Sequence, residues 1–189
     1  MFIAATYLEK LREIAIDQHG FLTTAQAENS GIPRVELAKM VARNRIERVA
    51  HGMYRIPQVP ETEYDPFMQA VFWTGASEAC LSHDTALALR EICDINPTKI
   101  HLTVKKGRRI KRSGGNGYVL HFEDIPPTQI VWFAGMPIVD VPTAIEQCIK
   151  NGVPSYIIEQ AIANAGKTSD LPKPEQQRLT QLLKERNAG

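Results

Sequence analysis

Apolar residues near the start of the chain recur with a helical period. Leu8, Leu11, Ile14 and Ala15 form one stripe, and Gly20 ends it. The next stretch, FLTTAQAENSGIPRVELAKMVARNRIERVAHGMYRIP (Phe21 to Pro57), predicts a helix, a tight turn, a second helix and a two-stranded ribbon. Thr23 with Gln26 three residues on is a capping box for the first of these helices. Ala27 is small enough to let the second helix cross closely. Gly31 is free to take the positive φ of a sharp turn. Ile32, Leu37, Met40 and Val41 share one buried side, so Val35, Glu36, Lys39, Ala42 and Arg43 face outward, with Arg34 on the flank. Pro33 suits the first turn of this helix and Asn44 its left-handed end. Ile46–Ala50 and Met53–Ile56 then read as strands around His51-Gly52, expected as a type I′ turn.

Pro57 to Pro66 (PQVPETEYDP) carries three prolines and three acids and reads as a linker. Beyond it the pattern changes. Asp65-Pro66 starts a helix through Phe67–Trp73 that closes near Gly75. Ser82 caps another through Ala86–Leu89 to about Cys93, where Asn96-Pro97 breaks the chain. Ile100, Leu102 and Val104 alternate with His101, Thr103 and Lys105, and Tyr118, Leu120 and Phe122 with Val119 and His121, as in half-buried strands. The segment between them ends in GGNG (Gly114–Gly117), expected as a hairpin tip. Ile130–Phe133 and Ile138–Val141 read as further strands. Thr143 with Glu146 reads as a second capping box, for a helix ending at Asn151-Gly152. Ile157, Ile158, Ala161, Ile162 and Ala165 stripe another helix, ended by Gly166, and a last one begins near Glu175. The expected fold class is α+β: an N-terminal winged helix-turn-helix of three helices and a hairpin wing (1–57), a linker (58–66) and a small mixed α+β domain (67–189).

Composition narrows the classes. With 43% hydrophobic and 23% charged residues, the chain has material for a buried core. No apolar run approaches a membrane span, and charges interrupt the opening MFIAATYLEKLREIA, so neither a transmembrane helix nor a secretory signal is expected. Cys80, Cys93 and Cys148 are odd in number and make no CxxC pair, as for free thiols in a reducing cytoplasm. A net charge of +1 announces no polyanion partner, so local patches must supply any phosphate contacts. One such patch is the run Lys105, Lys106, Arg108, Arg109, Lys111 and Arg112.

Candidate chemistry is sparse. His83 and Asp84 are neighbours on a helix and do not face each other, so they are no catalytic dyad. His101 and His121 fall on the polar faces of their strands, with no spaced carboxylate or thiol to complete a metal set. There is no HExxH, GxGxxG or phosphate loop. The expectation is no catalytic residue, no metal and no cofactor. The winged module instead points to double-stranded DNA. Its second helix enters the major groove, with Arg34, Lys39 and Arg43 at base edges or phosphates. Arg45, Arg48, His51 and Arg55 of the wing grip the backbone.

The runs GIPRVELAKMVARNRIERVAHGMYRIP, LSHDTALAL, KIHLTV and GMPIVDVPTAIEQCI together resemble the AbiEi-type antitoxins of abortive-infection toxin–antitoxin systems, from about Leu8 to about Ile162. The resemblance implies a cytoplasmic protein whose winged domain represses its own promoter, through repeated half-sites. It also implies a C-terminal domain needed to counteract a nucleotidyltransferase toxin. Arg34, Lys39 and Arg43 match the family's recognition-helix positions, and Arg48, His51 and Arg55 its wing. Two other readings compete. One is a stand-alone regulator sensing a small molecule between walls such as Trp73, Tyr118 and Trp132. The other is a nuclease, whose scattered acids Asp84, Glu123, Asp124 and Asp140 form no evident metal pair.

Overall fold

The computed structural model describes residues 6–112 and 114–189. The first five residues of the opening stretch and Ser113 of the glycine-rich loop lie outside the described residues. By packing, the chain divides into two units: 1–75 with 134–136, and 76–133 with 137–189.

In the first unit, α1 (Tyr7–Ile16) opens on a full capping box between Thr6 and Glu9. It is followed by β1 (Phe21–Thr23), α2 (Thr24–Asn29) and α3 (Arg34–Ala42), then β2 (Glu47–Ala50), β3 (Met53–Arg55) and α4 (Asp65–Thr74). The capping box of Thr23 and Gln26 forms at the start of α2. The turn after α2 is a Schellman motif. Gly31 at φ +77° donates its N–H to the carbonyl of Glu28 (2.9 Å), and Ile32 donates to that of Ala27 (2.9 Å). Asn44 at φ +53° closes α3 in the same way, with Asn44 donating to Val41 (3.0 Å) and Arg45 to Met40 (2.9 Å). Leu11, Ala15, Leu22, Ala27, Ile32, Leu37, Ile46 and Ile56 are buried together. Met40 and Val41, expected inside, are half-buried at the rim of that core.

Three expectations for this unit are corrected. Pro33 is the N-cap residue of α3 and not within its first turn. The ribbon gains a third strand, in the order β1-β3-β2, because the chain between α1 and α2 is extended enough to pair Phe21–Thr23 with Arg55–Met53. The turn His51-Gly52 is not type I′, which needs positive φ at both central residues. Only Gly52 has it (+70°), and a register shift lies between Arg48 and Ala50. In addition α4, expected to open the second domain, packs on β1 and is grouped with the first unit.

The second unit is a five-stranded mixed sheet with helices. In chain order it holds β4 (Cys80–Leu81), α5 (His83–Leu89), β5 (Ile100–Val104), β6 (Tyr118–Phe122), β7 (Ile130–Phe133), β8 (Met136–Val139), α6 (Val141–Lys150), α7 (Ser155–Ala165) and α8 (Lys173–Ala188). The strand order is β6-β5-β4-β8-β7. Helix α5 packs on β5 and α6, while α6, α7 and α8 pack on one another. Residues 105–117 are not a hairpin, because β5 and β6 run parallel, with Ile100 opposite Tyr118 and Val104 opposite Phe122. Parallel neighbours need a return connection of about a dozen residues, which is the length of this loop. Helix α6 is capped by Asp140, whose carboxylate accepts from the N–H of Thr143 (2.9 Å). Glu146 instead binds Lys150 and Arg178, so the expected Thr143–Glu146 box does not form. Ser82 precedes α5 but gives it no side-chain cap. The three thiols are free and buried. Burial pushes Cys80 up to about 12 and Cys93 to about 11, far from the reactive thiolate range.

Candidate nucleic-acid interface

Helix α3 is held by Leu37 beneath it and by the two Schellman turns at its approaches. Its outward side therefore has a fixed orientation. Arg34, Val35, Lys39, Ala42 and Arg43 are exposed along it, and Arg45 and Arg48 continue the cationic line into the ribbon. Two of these cations form intramolecular ion pairs. Arg34 meets Glu28 through Nε–Oε1 (2.6 Å) and Nη2–Oε2 (3.1 Å), which raises its already high pKa. Lys39 Nζ meets Glu36 Oε1 at 2.7 Å, one turn away on the same helix. An exposed pair like the latter contributes at most about 1 kcal/mol, so a phosphate competes readily for the lysine. Arg43 and Arg45 enter no ion pair among the described residues. Arg48 lies 3.5 Å from His51 Nδ1 across the ribbon turn.

Arg55 is the exception among the expected contact residues, and its assignment is corrected. It is only 8% exposed. Its Nη2 donates to the carbonyl of Val59 (3.1 Å) and to Asp65 Oδ2 (3.3 Å), and the guanidinium lies 5.9 Å from the ring centre of Phe21. Strand alternation explains this. Arg55 pairs with Phe21 and Glu47 in the middle strand of the sheet, so its side chain has no path to solvent that Arg48 shares. Val35 faces outward as expected, an apolar side chain 58% exposed between Arg34 and Lys39, although the sequence reading gave it no contact role.

In the second unit, the basic run lies between β5 and β6. Lys105, Lys106, Arg109 and Lys111 are exposed. Arg108 is clamped by Glu78 through Nε–Oε1 and Nη2–Oε2, both 2.6 Å, which raises the arginine and lowers the glutamate. Arg112 is exposed beside them. Lys105, Lys106, Arg109 and Lys111 enter no ion pair among the described residues.

The imidazoles on the polar face of β5 and β6 lie half-buried beside α5, which packs on β5. His101 Nδ1 and His121 Nε2 lie 3.1 Å apart, and the ring of His83 stacks on that of His121 at 3.4 Å between centres. Burial, with the neighbouring His121 and His101, pulls His83 down to about 3, and burial lowers His101 and His121 as well. All three imidazoles are therefore neutral at ordinary pH. Glu123, two residues beyond His121, reaches the same cluster, with its Oε1 3.6 Å from His83 Nε2. The spacing His121-x-Glu123 was visible in the sequence as two residues on one strand face. The contribution of His83 was not, because it comes from a helix start after β4.

Comparison with curated proteins gives no match. Among solved structures, the crystal structure of the RV2827C protein from Mycobacterium tuberculosis is similar. It has 12% sequence identity, covers 94% of this chain and 75% of that one, and gives a TM-score of 0.46, which is too low to bear on function. Among the described residues, no helix is long and apolar enough to cross a membrane. Residues 9–57 match the model of a family described as "Transcriptional regulator, AbiEi antitoxin". That description is of a regulator and not of an enzyme. The matched span runs from within α1 to the end of the ribbon and includes every residue of the outward cationic line, so this segment of the chain is similar to the AbiEi antitoxin family of transcriptional regulators.

Proposed function

We propose that the protein binds double-stranded DNA through α3 and the β2–β3 ribbon, and that it is a cytoplasmic antitoxin that represses its own operon. The observation that carries the DNA-binding reading is the continuous exposed line Arg34, Lys39, Arg43, Arg45 and Arg48 on one rigidly held helix and its ribbon. Arg34, Lys39 and Arg43 approach base edges and flanking phosphates, while Arg45, Arg48 and His51 hold the backbone. Val35 supplies an apolar contact suited to a thymine methyl group. The ion pairs of Arg34 with Glu28 and of Lys39 with Glu36 open on binding and reform on release, which keeps the free surface from attracting phosphate indiscriminately.

The second α+β domain, 67–189 by the sequence division, counteracts a nucleotidyltransferase toxin in this reading. The family description of the N-terminal segment supports an antitoxin role. The exposed lysines and arginines of the β5–β6 loop add a second anionic contact, to DNA or to an acidic partner. Two experiments test the whole. A reporter driven by the DNA upstream of the gene should be repressed by the full chain. Co-expression with the toxin gene next to it should restore growth. A reporter indifferent to the protein removes autorepression, and unrelieved toxicity removes the antitoxin role.

A further inference from the structure

The first residue of α5 and the end of β6 bring a third chemistry together, independent of the DNA-binding reading. His83, His121 and Glu123 each present a donor atom, and the three atoms lie within 4.8 Å of one another. The arrangement is built from several directions. The rings of His83 and His121 are stacked, with 13° between their planes, so one ring turns out of the stack when both nitrogens meet a single ion. His101 hydrogen-bonds to His121 (3.1 Å), a contact of the kind that fixes a ligating ring's tautomer and orientation. Gln147 of α6 donates from Nε2 to Glu123 Oε2 (2.9 Å) and accepts the backbone N–H of His83 at its Oε1 (3.2 Å). One buried amide therefore aligns two of the three donors. Behind His83, Nδ1 lies 3.0 Å from Ser82 Oγ, which accepts in turn from Thr103 Oγ1 (2.8 Å).

Two features of His83 are left over by hydrogen bonding alone. Its backbone sits at φ +50°, a conformation that favours glycine, yet a histidine is kept there. Its Nε2 faces a carboxylate oxygen at 3.6 Å, too long for a hydrogen bond between them. A nitrogen and a carboxylate oxygen that face each other at this distance have room for a cation between them. Zinc at about 2.1 Å from each donor needs donor spacings of about 3.4 Å, so the His83–Glu123 pair already stands near the required separation.

We infer that His83, His121 and Glu123 form a binding site for a divalent transition-metal ion of the zinc class. Two imidazole nitrogens and one carboxylate suit such an ion better than magnesium or calcium, which favour oxygen donors throughout. Three protein donors leave a fourth position for water or for a group brought by a partner. Glu123 is 41% exposed, so the ion enters from the side of the carboxylate, while His83 forms the buried wall.

The test uses the full chain, stripped with a chelator and titrated with Zn2+ and with Co2+. The expected result is one ion per chain by elemental analysis, visible d–d absorption of four-coordinate cobalt that zinc displaces, and a higher Tm with zinc. Glu123→Gln keeps an oxygen for Gln147 and leaves the buried wall intact, so it reads affinity in a folded protein. It and His121→Gln should each weaken Zn2+ binding by about tenfold or more. Glu159→Gln, which alters an exposed carboxylate of α7, should leave it unchanged. Failure of the wild-type chain to bind either ion overturns the assignment. So does binding that survives both Glu123→Gln and His121→Gln, since it would then be adventitious.

Discussion

Arg55 donates a hydrogen bond to Asp65 across 3.3 Å, and this pair fastens the last strand of the ribbon to the first turn of α4. Both side chains are largely buried, and Asp65 also accepts from the N–H and hydroxyl of Thr62. A cation in that setting supports the fold of the winged unit instead of reaching a ligand. Arg55→Ala leaves Asp65 buried without its cation. It should destabilise the protein by about 2–4 kcal/mol, measured by denaturant unfolding. Arg43→Ala and Arg45→Ala should leave stability within about 0.5 kcal/mol, because both side chains are exposed and enter no ion pair among the described residues.

The two left-handed residues that frame α3 make opposite predictions. A Cβ added at Gly31 meets nothing within 4 Å, so Gly31→Ala should cost only the left-handed backbone penalty, about 1–2 kcal/mol in thermal or chemical unfolding. Asn44 already tolerates its φ of +53°, and Asn44→Gly should be neutral or stabilise by up to about 1 kcal/mol. Equal loss at both positions would mean that the turns do not set the orientation of α3.

These positions also show what could be read from the chain alone. The helix-turn-helix was legible because its determinants are local. A capping box, a glycine able to turn and an apolar stripe lie within one contiguous stretch, from Thr23 to Val41. The ribbon was legible as two strands but not as three, since Phe21–Thr23 joins it only by pairing with residues thirty or more positions away. Arg55 looked identical to Arg48 in sequence, and its burial depends on being in the middle strand beside Asp65. The histidine cluster escaped for the same reason. His121 and Glu123 are near neighbours, but His83 and Gln147 arrive from a distant helix start and from α6. The parallel pairing of β5 and β6 was hidden because alternation looks the same in either direction.

If Arg45 and Arg48 contact phosphates, each should carry a share of the salt dependence. Replacing either one with alanine should reduce the slope of log affinity against log salt by about 0.9 and weaken all DNA sequences alike. Val35→Ser should instead reduce discrimination at a single thymine position and leave the slope unchanged. Anisotropy titrations at several salt concentrations separate the two outcomes.

Acid should act on Glu146. Burial raises its pKa, but hydrogen bonds from Lys150 (2.6 Å) and Arg178 (2.7 Å) outweigh that and hold it below the ordinary value of 4.5. A depressed carboxylate contributes stability that is present above its unfolded value and lost as pH falls through the folded one. Glu146→Gln should therefore be less stable than wild type at neutral pH, by about 1 kcal/mol for partly exposed ion pairs, with the difference shrinking below pH 4.5. Unfolding curves on both sides of that pH check it.

The most direct measurement is the affinity of the full chain for the DNA upstream of its own gene, wild type against Lys39→Ala combined with Arg43→Ala. If α3 enters the major groove, the double variant keeps its Tm and loses at least about tenfold in affinity, since each guanidinium or ammonium contact at a base contributes about 1–3 kcal/mol. Unchanged affinity in a fully folded double variant would contradict the assignment of α3 as the recognition helix.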